Sequence, residues 1–84
     1  MSRVLEWTPA AVRDLRRLDP PVRERIRQAV YRFVDTGQGD VQRLQGIPRE
    51  WRLRVGDWRV RFTEDPTGQT IVILWVRRRG EAYR

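Results

Sequence analysis

Apolar and polar residues alternate strictly in the segment WRLRVGDWRVRF, from Trp51 to Phe62. Strict alternation is typical of strands that bury one face and expose the other. Gly56 and Asp57 separate two such runs, and a Gly-Asp pair in this position predicts a two-residue hairpin turn. The resulting register places four guanidiniums on one face, those of Arg52, Arg54, Arg59 and Arg61. They oppose one another as two like-charged pairs, which is unfavourable by roughly 0.2–1 kcal/mol per pair.

Helical periodicity precedes the hairpin in two consecutive segments. Thr8 is the expected N-cap of the first helix, with Pro9 at its first position. The second helix is expected to start at Asp19 as its cap, with prolines next, and to end at Gly37. The apolar positions are Ala11, Val12, Leu15 and Leu18 in the first helix, and Val22, Ile26, Ala29, Val30 and Phe33 in the second. This pattern predicts a helical hairpin with one apolar face.

Two further segments are interpreted as strands, Arg3 to Trp7 and Gln69 to Arg79. The second contains the run from Ile71 to Val76, which is apolar without alternation. Such a run is typical of a strand that is central or covered on both faces. The segment QGDVQRLQGIPRE is polar and turn-rich, and we expect a loop there with Leu44 pointing inward.

The element order is therefore β-α-α-β-β-β, in one domain over residues 1–84. It predicts an α+β fold in which the helical hairpin packs on one face of a mostly antiparallel four-stranded sheet. The second face of the sheet would remain partly open and carry the hairpin arginines. We expect Trp51, Trp58 and Trp75 in the core rather than as platforms for stacking bases.

Composition narrows the chemistry that this open face can perform. The chain carries a net charge of +7, and all of its basic residues are arginines, with no histidine, lysine or cysteine. Histidine catalysis, disulfides and the usual zinc ligand sets are excluded, so we expect no metal and no cofactor. High positive charge favours a phosphate-rich partner or an acidic protein. No apolar segment suggests a signal peptide or membrane span, and we expect a cytoplasmic protein.

A second basic cluster follows the last strand and ends near a tyrosine. Its members are Arg77, Arg78, Arg79 and Tyr83. Together with the hairpin arginines, this cluster predicts binding to an RNA backbone, with an aromatic side chain available to a base. The alternatives are a solvated arginine face without a ligand, and a Tyr83 that only packs. The arginines of the helices are expected to be solubilising surface.

Three segments together resemble the RelE/ParE superfamily of bacterial and archaeal toxins. They are LQG at Leu44 to Gly46, WRLRVGDWRVRF, and VRRRGEAYR after an apolar strand; the helix opening TPAAVRDLRRLD is similar as well. The resemblance implies the fold described above and a toxin of a toxin–antitoxin pair, with an antitoxin protein as partner. RelE-like members cut messenger RNA in the ribosomal A site, whereas ParE-like members poison DNA gyrase and lack the RNase residues.

The resemblance also implies roles for individual residues. Arg59 matches the arginine that holds the scissile phosphate, and Tyr83 matches the C-terminal tyrosine of the RNases. Arg52 and Arg54 match basic strand positions, one of which often holds an acid–base lysine. Either Arg77 or Arg79 matches the arginine near the leaving group. Two positions depart from the family pattern, because Arg78 replaces a common histidine and Gln42 replaces an acidic residue found in some relatives.

The chemistry of metal-free RNA cleavage is consistent with this set of residues. Arginines can stabilise charge on the phosphorane, but their pKa above 12 makes them poor bases. Tyr83 is the best remaining base, with Glu50, Asp57 and Glu81 as weaker candidates. The expected activity is therefore a ribosome-dependent endoribonuclease that inhibits translation. A ParE-like gyrase poison and a non-enzymatic module that binds nucleic acid remain as alternatives.

Overall fold

The computed structural model describes residues 3–82, which form two main helices and a five-stranded sheet. The elements in chain order are β1 Val4–Trp7, α1 Pro9–Arg16, α2 Pro20–Thr36, β2 Asp40–Arg43, β3 Glu50–Val55, β4 Trp58–Glu64, β5 Thr70–Arg78 and the four-residue α3 Arg79–Ala82. None of the helices in residues 3–82 is long and apolar enough to cross a membrane.

Both predicted helices are present, and both start with proline. The Thr8 hydroxyl accepts a hydrogen bond from the Ala11 N–H at 3.1 Å, so the predicted cap of α1 is confirmed. Asp19 occupies the N-cap position of α2 but makes no side-chain capping bond. Gly37 ends α2 in the left-handed conformation, with φ of 76°, and its N–H donates to the Phe33 carbonyl.

The sheet has the strand order β1-β5-β4-β3-β2, and only the β1–β5 pair is parallel. The predicted central position of the last strand is confirmed, because β5 lies between β1 and β4. The predicted hairpin register is also confirmed, since Arg52 pairs with Arg61 and Arg54 with Arg59. Gly56 has φ of 60°, as the first position of a type II′ turn requires.

The fifth strand corrects the sequence-based expectation of a loop before the hairpin. β2 pairs antiparallel with β3, and this pairing places Val41 opposite Leu53. Four residues are too few for their alternation to stand out in a polar segment. The strand forms because its polar residues meet hairpin arginines: Asp40 lies opposite Arg54, and Gln42 lies opposite Arg52. Leu44, just beyond it, is half-buried.

The core lies between the helices and one face of the sheet. Its fully buried side chains of largest volume are Phe62, Ile26, Leu53, Ile71, Ile73, Val30 and Val60. Phe33 of α2 stacks against Phe62 with ring centroids 5.1 Å apart. Trp51 and Trp58 pack against this core as predicted. The two helices therefore cover one sheet face and leave the other face to the arginines.

A bulge in β5 reverses which side chains of that strand point inward. Phe62 pairs with Ile73 and Arg61 pairs with Trp75, so Leu74 is an extra residue on β5. Ile73 and Val76 are both buried on the helix side, and Trp75 therefore points to the arginine face. The predicted core position of Trp75 is wrong, because simple alternation cannot anticipate an inserted residue.

Candidate functional site: an arginine-lined cleft

The open face of the sheet contains a cleft of about 360 Å³ near the β2–β3 edge. We call it the arginine cleft, and its lining residues are Gln42, Arg43, Leu44, Gln45, Arg52, Arg59, Arg61 and Trp75. Three of the four predicted hairpin arginines converge there, because cross-strand pairing brings β3 and β4 side by side. No carboxylate is among the lining residues in the described part of the chain. The cleft is thus suited to an anion.

Arg59 is the most deeply placed of these arginines, since its side chain and backbone together are only 4% exposed. Its Nη1 donates to the carbonyls of Gly56 and Trp58, both at 3.0 Å. These carbonyls belong to the hairpin turn, so the turn itself orients the guanidinium. The buried Nε of Arg59 has no hydrogen-bond partner within residues 3–82. A buried donor without an acceptor is costly, although this feature is not confined to the cleft, because the Nε of Arg23 on α2 shares it.

Polar neighbours hold the other two hairpin arginines of the cleft. Arg52 donates to the Gln42 amide oxygen at 2.8 Å. Arg61 lies 3.8 Å from the carboxylate of Glu50, a long ion pair. The Nε of Arg61 is buried and, like that of Arg59, has no hydrogen-bond partner among the described residues. Arg52 and Arg61 pair directly across the strands, and each of these like-charged residues thus has a polar neighbour of its own.

Arg77 lies beside the cleft because it contacts Trp75, which lines the cleft. The guanidinium carbon of Arg61 lies 4.7 Å from the centroid of the Trp75 ring, and that of Arg77 lies 4.3 Å from it. Both distances are within the range of cation–π attraction. Arg77 is exposed and pairs with Arg59 across β4 and β5. Of the two arginines matched to the leaving-group position, Arg77 is therefore the one placed beside the cleft.

The remaining predicted site residues lie elsewhere or outside the described chain. Arg54 is exposed and lies 3.9 Å from Asp40, outside the cleft lining. Arg78 lies on the helix side of the sheet, 5.6 Å from the centroid of the Trp58 ring. Arg79 begins α3, and its N–H donates to the Asp57 carbonyl at 2.8 Å. Tyr83 lies outside the described residues.

Residues 43–45 line the cleft, and residues 43–48 line a larger concavity of about 550 Å³ beside it. Leu44 N–H donates to the Glu50 carbonyl at 3.1 Å, which closes this loop at the base of β3. Ile47 is among the exposed large apolar residues. The sequence predicted a loop with Leu44 pointing inward and did not assign Arg43 to the site, because neither the β2 strand nor its edge was expected.

Three solved structures have a fold similar to that of this chain. The structure of the RelB–RelE complex from Pyrococcus horikoshii matches with a TM-score of 0.79 and 23% identity, over 95% of this chain and 98% of the RelE chain. The complex from Methanococcus jannaschii matches with a TM-score of 0.77 and 22% identity, over 93% and 94% of the two chains. Isolated Escherichia coli RelE matches with a TM-score of 0.78 and 17% identity, over 98% and 92%.

These structural matches show the same fold at low identity. None of the curated proteins compared with the chain matches it. A family model described as the ParE toxin of type II toxin–antitoxin systems matches residues 5–83, which is nearly the whole chain. The chain therefore belongs to the ParE toxin family of type II toxin–antitoxin systems, within the RelE/ParE superfamily.

Proposed function

We propose that this toxin is a metal-independent endoribonuclease that cuts messenger RNA in the ribosomal A site and thereby stops translation in the cytoplasm. The observation that carries the proposal is the convergence of Arg52, Arg59 and Arg61 on one cleft. Arg59 is buried there with a donor that lacks an acceptor within the described residues. A site built only to expose charge would not bury a guanidinium, because burial of a charge is costly unless a partner compensates it.

The cleavage step that fits this site starts from the RNA itself. The 2′-oxygen attacks the adjacent phosphorus, the bond from phosphorus to the 5′-oxygen breaks, and the products carry a 2′,3′-cyclic phosphate and a 5′-hydroxyl. The proton of the 2′-hydroxyl goes to a base, and the leaving 5′-oxygen accepts a proton. Arg59 and Arg61 would stabilise the additional negative charge on the phosphorane, which is commonly the largest catalytic contribution.

The acid–base groups are the weak part of this active site. Among the described residues the nearest carboxylate to a cleft arginine is Glu50, and it is already 3.8 Å from Arg61. Tyr83, which matches the C-terminal tyrosine of the RNases, is our proposed base. Such a site needs the substrate held in line for attack, and orientation can contribute roughly 7–11 kcal/mol. We therefore infer that the ribosome supplies this orientation.

An antitoxin protein is the proposed partner of the toxin. The solved structures from P. horikoshii and M. jannaschii are complexes of RelE with RelB. The net charge of +7 favours an antitoxin segment that is acidic where it contacts the arginine face. An antitoxin that binds in this way would neutralise the toxin by occupying the site for the RNA phosphates, and its association would weaken with salt.

The test is translation with purified ribosomes and a defined messenger, with new 5′ ends mapped by primer extension. Wild type is compared with Arg59→Ala and with Arg13→Ala, which removes an exposed arginine from α1. We expect A-site cuts that require ribosomes, that are lost in Arg59→Ala and that persist in Arg13→Ala. Intact messenger with the wild-type protein would refute the proposal.

Inhibition of DNA gyrase is the second candidate, and the match to the ParE family model favours it. A gyrase poison acts by binding a protein, so it has no need for a buried arginine beside an open cleft. A supercoiling assay with the same variants separates the two functions. If the wild-type protein and Arg59→Ala both abolish supercoiling by gyrase, and the messenger stays intact in the translation assay, the gyrase function is established.

A further inference from the structure

The indole ring of Trp75 contacts one arginine from the hairpin and one from the last strand. Arg61 is its cross-strand neighbour on β4, and Arg77 follows it by two positions on β5. Their guanidinium carbons lie 4.7 and 4.3 Å from the ring centroid. Two cations beside one ring repel each other, and the attraction of the ring for both of them offsets this repulsion.

Trp75 reaches this position only because β5 contains the bulge at Leu74. In a regular strand, Trp75 would share the helix-facing side with Ile73 and Ile71. Three hydrogen bonds hold the bulge; two are made by Thr8, the N-cap of α1, and the third is accepted by Asp14 near the end of that helix. The Thr8 N–H donates to the Ile73 carbonyl at 3.0 Å, the Thr8 hydroxyl donates to the Leu74 carbonyl at 2.8 Å, and the Val76 N–H donates to Asp14 at 2.9 Å. These hydrogen bonds stabilise the bulge, and the bulge turns the Trp75 side chain toward the cleft.

We propose that Trp75 is a positioning residue, which holds Arg61 and Arg77 together as one clamp for the RNA backbone. Phosphate binding by long, mobile arginines is opposed by the loss of their rotamer freedom. A ring that already orders both guanidiniums reduces this loss before the RNA arrives. This inference rests on the proposed function, because it concerns how the same cleft binds its substrate.

Two other roles are possible for a half-buried tryptophan in a cleft, a platform for a base and a packing residue without contact to RNA. They differ from the proposed role in one measurable respect. A residue that acts through Arg61 and Arg77 loses its effect when those arginines are absent, whereas a base platform or a packing residue keeps it. A double-mutant cycle measures this difference directly.

The experiment measures binding of a short single-stranded RNA whose 2′-hydroxyls are methylated, so that it cannot be cut. Fluorescence anisotropy at low salt gives the Kd of four proteins. They are the wild type, Trp75→Leu, the Arg61→Ala/Arg77→Ala double variant, and that double variant with Trp75→Leu added. We expect Trp75→Leu to raise the Kd about tenfold in the first background and less than about twofold in the second. Trp75→Phe retains a ring, and we expect its Kd to stay within about threefold of wild type.

The matched control is Trp58→Leu, which also removes a half-buried tryptophan with an arginine over its ring, but on the helix side of the sheet. We expect this variant to bind the RNA as wild type does. Thermal unfolding shows whether each variant is folded at the assay temperature. Trp75→Met repeats the cycle with a long, flexible side chain if the leucine variant does not fold.

Equal losses in the two backgrounds would overturn the inference, and so would failure of the wild-type protein to bind the RNA. The outcome for the proposed function is separate, because it is measured by cleavage on ribosomes. If the cycle shows coupling but ribosome-bound messages stay intact, the proposed function fails and the clamp stands.

Discussion

The carboxylate of Asp14 in α1 accepts a hydrogen bond from the backbone N–H of Val76 at 2.9 Å. The bulge at Leu74 shifts the register between β4 and β5, and two residues further along β5 the side chain of a helix residue accepts the bond from Val76. Val76 is almost fully buried, so its N–H is shielded from water and needs an acceptor within the protein. One helix residue thus stabilises the strand conformation that turns Trp75 toward the arginine cleft.

Asp14→Ala should therefore lower both stability and RNA affinity. The expected loss in free energy of unfolding is about 1–3 kcal/mol, the cost of leaving a buried donor unsatisfied. Urea denaturation measures the loss, and Asp14→Asn, which keeps an acceptor oxygen, should lose less. Asp19→Ala is the control, because Asp19 makes no side-chain capping bond. If Asp19→Ala costs as much as Asp14→Ala, the bond to Val76 has no special importance.

Substitution of a hairpin arginine should slow cleavage more when that arginine lines the cleft than when it lies outside it. We expect Arg59→Ala to reduce the cleavage rate on ribosomes by about 10²–10³, as loss of one donor to a developing charge commonly does. Arg54→Ala should reduce it less, because Arg54 lies outside the cleft lining and near Asp40. Single-turnover cleavage of a ribosome-bound message gives both rates. Similar losses in the two variants would mean that the whole stripe, and not the cleft, carries the reaction.

RNA binding should depend steeply on salt. If Arg52, Arg59, Arg61 and Arg77 each neutralise one phosphate, log K should fall against log salt with a slope of about −2.8 for a single strand. Arg77→Ala should reduce that slope by about 0.7, whereas Trp75→Leu should lower the affinity with little change in slope. Anisotropy titrations over a range of salt concentrations measure these slopes. An unchanged slope in Arg77→Ala would show that Arg77 does not contact a phosphate.

The turn between β4 and β5 should make the protein less stable in acid. Three hydrogen bonds, from the Gln69 and Thr70 N–H groups and the Thr67 hydroxyl, reach the Asp65 carboxylate. The bond from Thr70, followed by that from Thr67, holds the pKa of Asp65 below its usual value of 3.8. Because the folded-state pKa is the lower one, the stabilisation is complete above the usual pKa and disappears as pH falls through the folded value.

Asp65→Asn tests this pH dependence. The variant should be less stable than wild type near neutral pH, and the difference between them should shrink as the pH falls below about 4. Thermal unfolding at a series of pH values measures it. A difference that stays constant down to pH 2 would show that the carboxylate's charge is not involved.

The hairpin shows how much of the site was accessible from sequence. Alternation and the Gly-Asp turn determine its register, because side-chain period and loop length leave one pairing that buries the apolar face. That pairing alone placed Arg52 beside Arg61 and Arg54 beside Arg59, as the structure confirms. Proline and capping signals likewise located the starts of both helices, since these depend on a few neighbouring residues.

Tertiary structure decided which of those arginines share a site. Arg54 lies outside the cleft lining and 3.9 Å from Asp40 of the unexpected strand β2, and Arg78 faces the helices because of its parity on β5. Trp75 faces the arginines because Thr8 and Asp14, more than 60 positions away in the chain, hold a bulge beside it. A local pattern specifies the period of a strand, but an inserted residue reverses that period, and whether it is tolerated depends on hydrogen-bond partners supplied by a distant helix.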